Sequence, residues 1–285
     1  QHPGGIIVIP NDMSVYDFTP IQYPAEDVTA SWKTTHFDFH AIHDNVLKLD
    51  LLGHVDPYAL RVMQEITGID VKTVPLNDRN VIEIFNSVRP LKLKDNLLNE
   101  INGALGLPEF GTGLGRRILR ETKPNSFDDL VRISGLSHGE GVYQGNAQDF
   151  IVSGKGTLHD VIGCRDDIMT VLHDVYGIDS AEGFKLMEIV RKGNFMKPEF
   201  AQKREYYEKL MREHHVKEDF IESCQKIKYL FPKGHAVAYV MMAVRVAWFK
   251  LYHPLAYYAA YYSVRSDAYD LYTIMKGKQA IFKEY

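Results

Sequence analysis

Seven side chains that could ligate a divalent metal crowd one stretch: His36, Asp38, His40, His43, Asp44, Asp50 and His54. His40 and His43 do not make an H-E-x-x-H zinc helix, because Ala41-Ile42 stand between them and no glutamate follows the first histidine. Read as a strand, residues 34–42 place His36, Asp38 and His40 on one face, where they could hold a metal or form ordinary hydrogen bonds near a sheet edge. Asp50 stands apart. It falls between Leu49 and Leu51-Leu52 in an apolar strand, where a buried carboxylate is costly unless paired or metal-bound.

Two cationic groups lie further along. Arg191-Lys192, followed by Gly193, ends an amphipathic helix, where cations complement the helix dipole or could grip an anion. Lys226, Lys228, Lys233 and His235 surround Phe231-Pro232, and His235 opens a long apolar helix whose first N–H groups would attract phosphate. Tyr239 is one turn beyond His235, a spacing that suits stacking on a nucleobase and core packing alike. The run Gly111, Gly113, Gly115 fails both phosphate-loop patterns, since no G-K-[ST] follows and position 116 is Arg. Residues 133–139 could be a glycine hairpin against phosphates or a helix–helix turn.

These residues need a folded scaffold, and the composition supplies one. The chain has 285 residues, 45% hydrophobic and 25% charged, which excludes a disordered or collagen-like chain. Two cysteines exclude a disulfide scaffold and suit a reducing compartment. The longest apolar run, 236–249, is interrupted by Arg245 and falls short of the ~20 residues of a membrane span. Residues 181–250 hold 14 Lys/Arg against 9 Asp/Glu within a chain of net charge −4, a local basic stretch that suits nucleic acid or a solvated helix face. The start at Gln1 reads as a piece of something longer or a processed chain.

Short strands are expected at 6–9, 34–42 and 45–52, then a helix over 57–67 closed by Gly68. Helices are expected near 80–86, after 115, and from Ser126, whose Asp129 completes a capping box. More follow at 144–152, 157–162, 165–175, 180–192, 198–214, 217–229, 235–251 and 254–264. The expected class is α+β, mostly helical, with a small β-containing part at 1–70 and a helical part at 71–285.

The segments HPGGIIVIP (2–10), VYDFTPIQYPA (15–25), THFDFH (35–40), HDNVLKLDLLGH (43–54), PEFGT (108–112), ISGLSHG (133–139), GNAQ (145–148), IGCRDDIM (162–169), VRKG (190–193) and KIKYLFPKGHAVAYVMMAVR (226–245) occur in order along the whole chain. Together they resemble the PolC branch of the C-family replicative DNA polymerases. The resemblance implies the end of the palm at 1–70 and an incomplete fingers domain at 71–285. It implies template-directed nucleotidyl transfer from a dNTP to a primer 3′-hydroxyl with two Mg²⁺ ions, in the bacterial cytoplasm at the nucleoid. The family's third metal-binding aspartate matches Asp50. The cations that hold the triphosphate match Arg191 and Lys192, with Lys233 and His235 close behind, and Tyr239 would face the nucleotide.

Primer–template DNA, dNTP, a sliding clamp and other replisome subunits are the implied partners, and no membrane. The family's other two aspartates, a close pair, precede the HPGG motif, so these residues alone are expected not to extend a primer. Gly234 stands where the family pattern has Ala, and 86–105 matches least closely. Two other readings are a non-catalytic nucleotide- or DNA-binding module built on 181–250, and a metal-dependent hydrolase built on His36, Asp38, His40 and Asp50.

Overall fold

A computed structural model describes residues 4–51, 53–96, 98–266 and 270–284. Residues 2–3 of the HPGG motif and Leu52 of the third expected strand lie outside them. The chain divides into two units, Gln1–His54 and Val55–Tyr285.

In the first unit, β1 (Gly5–Val8) pairs antiparallel with β4 (Leu47–Asp50), setting Gly5 opposite Asp50 and Val8 opposite Leu47. A second ribbon joins β2 (Ile21–Gln22) to β3 (Thr34–Thr35). The strand expected over 34–42 is cut short. Asp38 accepts the His40 N–H at 2.9 Å and caps a one-turn helix, α1 (Phe39–Ile42). An Asp that satisfies a helix-start donor competes with the extended form, so His36, Asp38 and His40 do not share a strand face. The second correction concerns β4: Leu47 is 61% exposed and Leu49 48% exposed, so Asp50 does not sit in a buried apolar strand.

The second unit is helical: α2 (Val55–Thr67), α3 (Arg79–Ile84), α4 (Gly113–Thr122), α5 (Phe127–His138), α6 (Gln148–Val152), α7 (Arg165–Thr170) and α8 (Ser180–Val190). It continues with α9 (Ala201–Glu213), α10 (Glu218–Lys226), α11 (Lys233–Tyr252), α12 (Pro254–Ala260), α13 (Leu271–Met275) and α14 (Lys278–Glu284). Helix makes up 58% of the chain, with two two-stranded ribbons among the described residues, which is the mostly helical α+β class expected. The 57–67 helix, expected with the β-containing start, belongs to this unit. Its buried stripe Ala59, Leu60 and Met63 is covered by α11 and α12.

The long helix α11 is the spine of this unit. Ala236, Val240, Ala243, Val244, Val246, Ala247 and Phe249 are all buried along it, and α5, α3, α2 and α12 pack around it. Pro232 precedes it and Pro254 follows, each unable to continue a helix through itself. Ser126 and Asp129 form the expected capping box on α5. The expected helices at 144–152, 165–175 and 254–264 are each part α-helix and part wider π-type turn.

The irregular 86–105 segment is tied down from α11. Buried Lys250 donates to the carbonyls of Gly103 at 2.8 Å and Leu105 at 2.6 Å. Burial pushes its ammonium down to about 8.

Helix α5 approaches the 162–164 segment through Gly135, where an added Cβ would lie 2.5 Å from the Gly163 carbonyl oxygen and 2.6 Å from Cys164 Sγ. Gly→Ala in an open helix gains roughly 1 kcal/mol. Here Gly135→Ala is expected instead to lose about 1–3 kcal/mol through overpacking, and urea unfolding reads the sign directly.

Candidate functional site

The cationic segments lie together because one extended stretch, 227–232 between α10 and α11, is gripped from several sides. The Glu140 N–H donates to the Tyr229 carbonyl at 3.0 Å, and the Lys228 N–H donates back to the Glu140 carbonyl at 2.8 Å. The Leu230 N–H donates to the Arg191 carbonyl at 3.1 Å, and the Arg165 N–H to the Phe231 carbonyl at 3.0 Å. Gly141 and Gly193 both have positive φ, and a Cβ on either would collide with the carbonyl of Lys226 or Lys228. Glycine is therefore required twice, by backbone conformation and by close approach. The result joins the turn after α8, carrying Arg191-Lys192-Gly193, to the start of α11, carrying Lys233 and His235.

The cations are not bare. Glu188, one turn back on α8, takes a two-pronged pair from Arg191 at 2.5 and 2.8 Å and contacts Lys192 Nζ at 3.3 Å. The hydrogen bonds from Arg191 hold the Glu188 carboxyl below its usual range, and the same contact raises the guanidinium. The Lys233 N–H donates to Asp166 Oδ2 at 2.7 Å, and its ammonium lies 3.9 Å from Asp128.

Around His235 is a cluster of rings. Tyr239 lies 4.3 Å from it centroid to centroid, Phe231 5.0 Å and His138 5.9 Å. His138 Nε2 is 2.8 Å from Glu109 Oε2, and Nδ1 is 2.7 Å from the Ser134 carbonyl. With an acceptor at each ring nitrogen, the doubly protonated form is the satisfied one, and Glu109 raises the His138 pKa above its ordinary value. Burial, and then the neighbouring His138, lower that of His235. At neutral pH His235 therefore offers a hydrogen bond rather than a charge.

In the first unit, Asp50 is over half exposed and pairs with Lys48 Nζ at 3.1 Å. His36 Nδ1 bonds Gln22 Oε1 at 2.8 Å, and His43 lies 3.1 Å from Asp44. Among the described residues no three His, Cys, Asp or Glu side chains converge to hold a metal ion. A Mg²⁺ site needs near-octahedral oxygen ligands, and one exposed carboxylate beside an ammonium does not fit it. The hydrolase reading loses its ligand set by the same observation.

A profile described as the bacterial DNA polymerase III alpha subunit finger domain matches residues 56–215, and one described as the bacterial DNA polymerase III alpha NTPase domain matches 1–53. The PolC-type DNA polymerase III of Staphylococcus haemolyticus is 53% identical over 281 residues, 99% of this chain. That of Oceanobacillus iheyensis is 52% identical over 283 residues, and that of Staphylococcus aureus 52% over 281, each covering 99% of this chain. The chain belongs to the PolC-type DNA polymerase III family. It spans 19% of the length of these relatives.

Within this family member, the two matches meet where the chain divides, at residues 54–55. The structure brings Arg191, Lys192, Lys233, His235 and Tyr239 into one unit, linked through the 227–232 stretch. Lys226 and Lys233 also line a cavity of about 520 Å³ shared with Phe150, Val161 and Ile162, a space that Arg191 and His235 do not line. Sequence reading missed Glu188, whose i−3 spacing to Arg191 was a readable signal. It also missed the Glu109–His138 pair, for which the sequence carries no local signal.

A raised His138 pKa has a defined stability signature. The Glu109 contact contributes fully below the unfolded value of 6.5 and is lost as pH climbs through the raised folded value. Glu109→Gln is expected to lower the melting temperature more at pH 6 than at pH 9. Equal losses at both would show that the pair is not an ion pair.

Proposed function

We propose that this chain is the dNTP-receiving part of a DNA-directed DNA polymerase: the end of the palm in the first unit and helical fingers in the second. The observation that carries this reading is the Leu230 N–H bond to the Arg191 carbonyl, which sets two cationic segments side by side. Preplaced cations at a triphosphate are what phosphoryl transfer needs, because the chemistry is positioning and charge stabilisation.

Arg191 and Lys192 bind the triphosphate by exchanging Glu188 for phosphate oxygens. Glu188 keeps the guanidinium in place and its charge offset until substrate arrives. Lys233 adds a charge at the first turn of α11, where backbone N–H groups favour anions. Neutral His235 donates or accepts a hydrogen bond at the nucleotide, and Tyr239 presents a ring face beside it. Asp50 is the proposed single carboxylate from this chain for a Mg²⁺ pair. One exposed carboxylate does not make that site, so within these residues the chemistry reaches as far as substrate binding.

Primer–template DNA, a sliding clamp and other replisome subunits, in the bacterial cytoplasm, are the proposed partners and setting. Among the described residues no helix is long and apolar enough to cross a membrane. The lack of a converged metal-ligand set among the described residues favours a second reading for the chain in isolation, a nucleotide- or DNA-binding module without catalysis.

Titrating the purified chain with Mg²⁺ and dNTP tests the clamp. Arg191→Ala with Lys192→Ala is expected to weaken binding ~10-fold or more, equal to ~1.4 kcal/mol; unchanged affinity would remove both residues from it. In a full-length polymerase carrying this sequence, Asp50→Asn is expected to abolish primer extension while DNA binding persists. Extension near the unsubstituted rate would show that Asp50 is no metal ligand.

A further inference from the structure

A polar cavity of about 210 Å³ lies between the turn at 98–102 and α4. Arg116, Arg117 and Arg120 line it, with Asn99, Glu100 and Asn102 among its other wall residues. Arg116 is already engaged, 3.5 Å from Glu100 and donating to the Gly111 carbonyl at 3.3 Å. Among the described residues, Arg117 and Arg120 have no carboxylate within salt-bridge distance. Arg117 Nε is buried and, among the described residues, has no hydrogen-bond acceptor.

Keeping a guanidinium N–H from water without an acceptor is unfavourable, and an arriving anion would supply the acceptor. The wall is fixed beforehand. Buried Asn102 donates to the Arg116 carbonyl at 3.3 Å and accepts from the Ala104 N–H at 3.2 Å, which holds the turn against the helix. Within the lining, three guanidiniums meet one carboxylate, Glu100, while Glu121, one turn beyond Arg117, accepts from Tyr143 and Gln148 instead. The volume is below the ~300–1,000 Å³ of small-molecule pockets, so it admits a single group rather than a whole nucleotide. Planar guanidinium forks match the oxygens of a phosphate.

We propose that this cavity seats one phosphodiester of the DNA backbone, separate from the dNTP contacts of Arg191, Lys192, Lys233 and His235. The proposal rests on the polymerase reading for its ligand and on the unpaired arginines for its place. Such a contact positions the strand without reading its sequence.

Fluorescence anisotropy of a labelled primer–template with the full 285-residue chain, over a series of KCl concentrations, tests it, with dNTP titrated in parallel. Arg117→Ala with Arg120→Ala is expected to weaken DNA binding about tenfold and to reduce the salt slope by about 0.9 for each phosphate no longer neutralised. The dNTP affinity should stay unchanged. Arg117→Lys with Arg120→Lys keeps the charges and should keep the slope. Thermal melting establishes that each variant is folded; if the alanine pair is not, the exposed Arg120→Ala alone carries the test. Unchanged DNA affinity and slope in a folded variant, an equal loss of dNTP affinity, or no DNA binding by the unsubstituted chain would each overturn the proposal. Failure of the Arg191/Lys192 clamp would leave the DNA result standing, so the two readings fail separately.

Discussion

The extended stretch 227–232 is the constraint on which the candidate site depends. It is neither helix nor sheet along most of its length, so its backbone groups need partners from elsewhere. They find them in Glu140, Arg165 and Arg191, whose own segments are far away in sequence. The approach is so close that Gly141 and Gly193 leave no room for a side chain. Once this seam forms, the positions of the VRKG turn and the start of α11 are no longer independent. A flexible pair of loops would lose ordering entropy when a ligand arrived; here that cost is already met in folding.

Electrostatics follow the same logic. The candidate cations have acidic neighbours: Glu188 pairs with Arg191 and Lys192, and Asp128 lies near the Lys233 ammonium while Asp166 holds the Lys233 backbone N–H. The two histidines divide the roles: Glu109 raises the His138 pKa, while burial and then His138 lower that of His235. A cation pair with its counterion in place is stable without substrate, and a stronger multivalent anion can still displace that counterion. The Arg117/Arg120 cavity differs in holding guanidiniums with no such counterion among the described residues.

Local signals in the sequence were reliable where local chemistry decides. The Ser126–Asp129 capping box, Gly68 closing α2, and the prolines bracketing α11 all act within a few residues. Reading failed where partners are distant or where two local signals compete. Asp38 caps α1 and so ends the strand that the alternation of 34–42 suggested. Asp50 looked buried because its neighbours are apolar, yet among the described residues β4 pairs with β1 alone, and its Leu47 and Leu49 remain exposed. The Glu109–His138 pair and the hold of Lys250 on Gly103 and Leu105 join residues that no period or motif connects. Of the site itself, the residue types were legible; the seam that unites them was not.

The central claim is that the VRKG turn and the 226–239 segment act as one triphosphate-binding unit. Hydrogen–deuterium exchange of the chain, with and without Mg²⁺ and dNTP, tests it most directly. Amides of 190–193 and of 228–236 should gain protection together on nucleotide addition. Protection of one segment without the other, or protection confined to a different part of the fold, would contradict it.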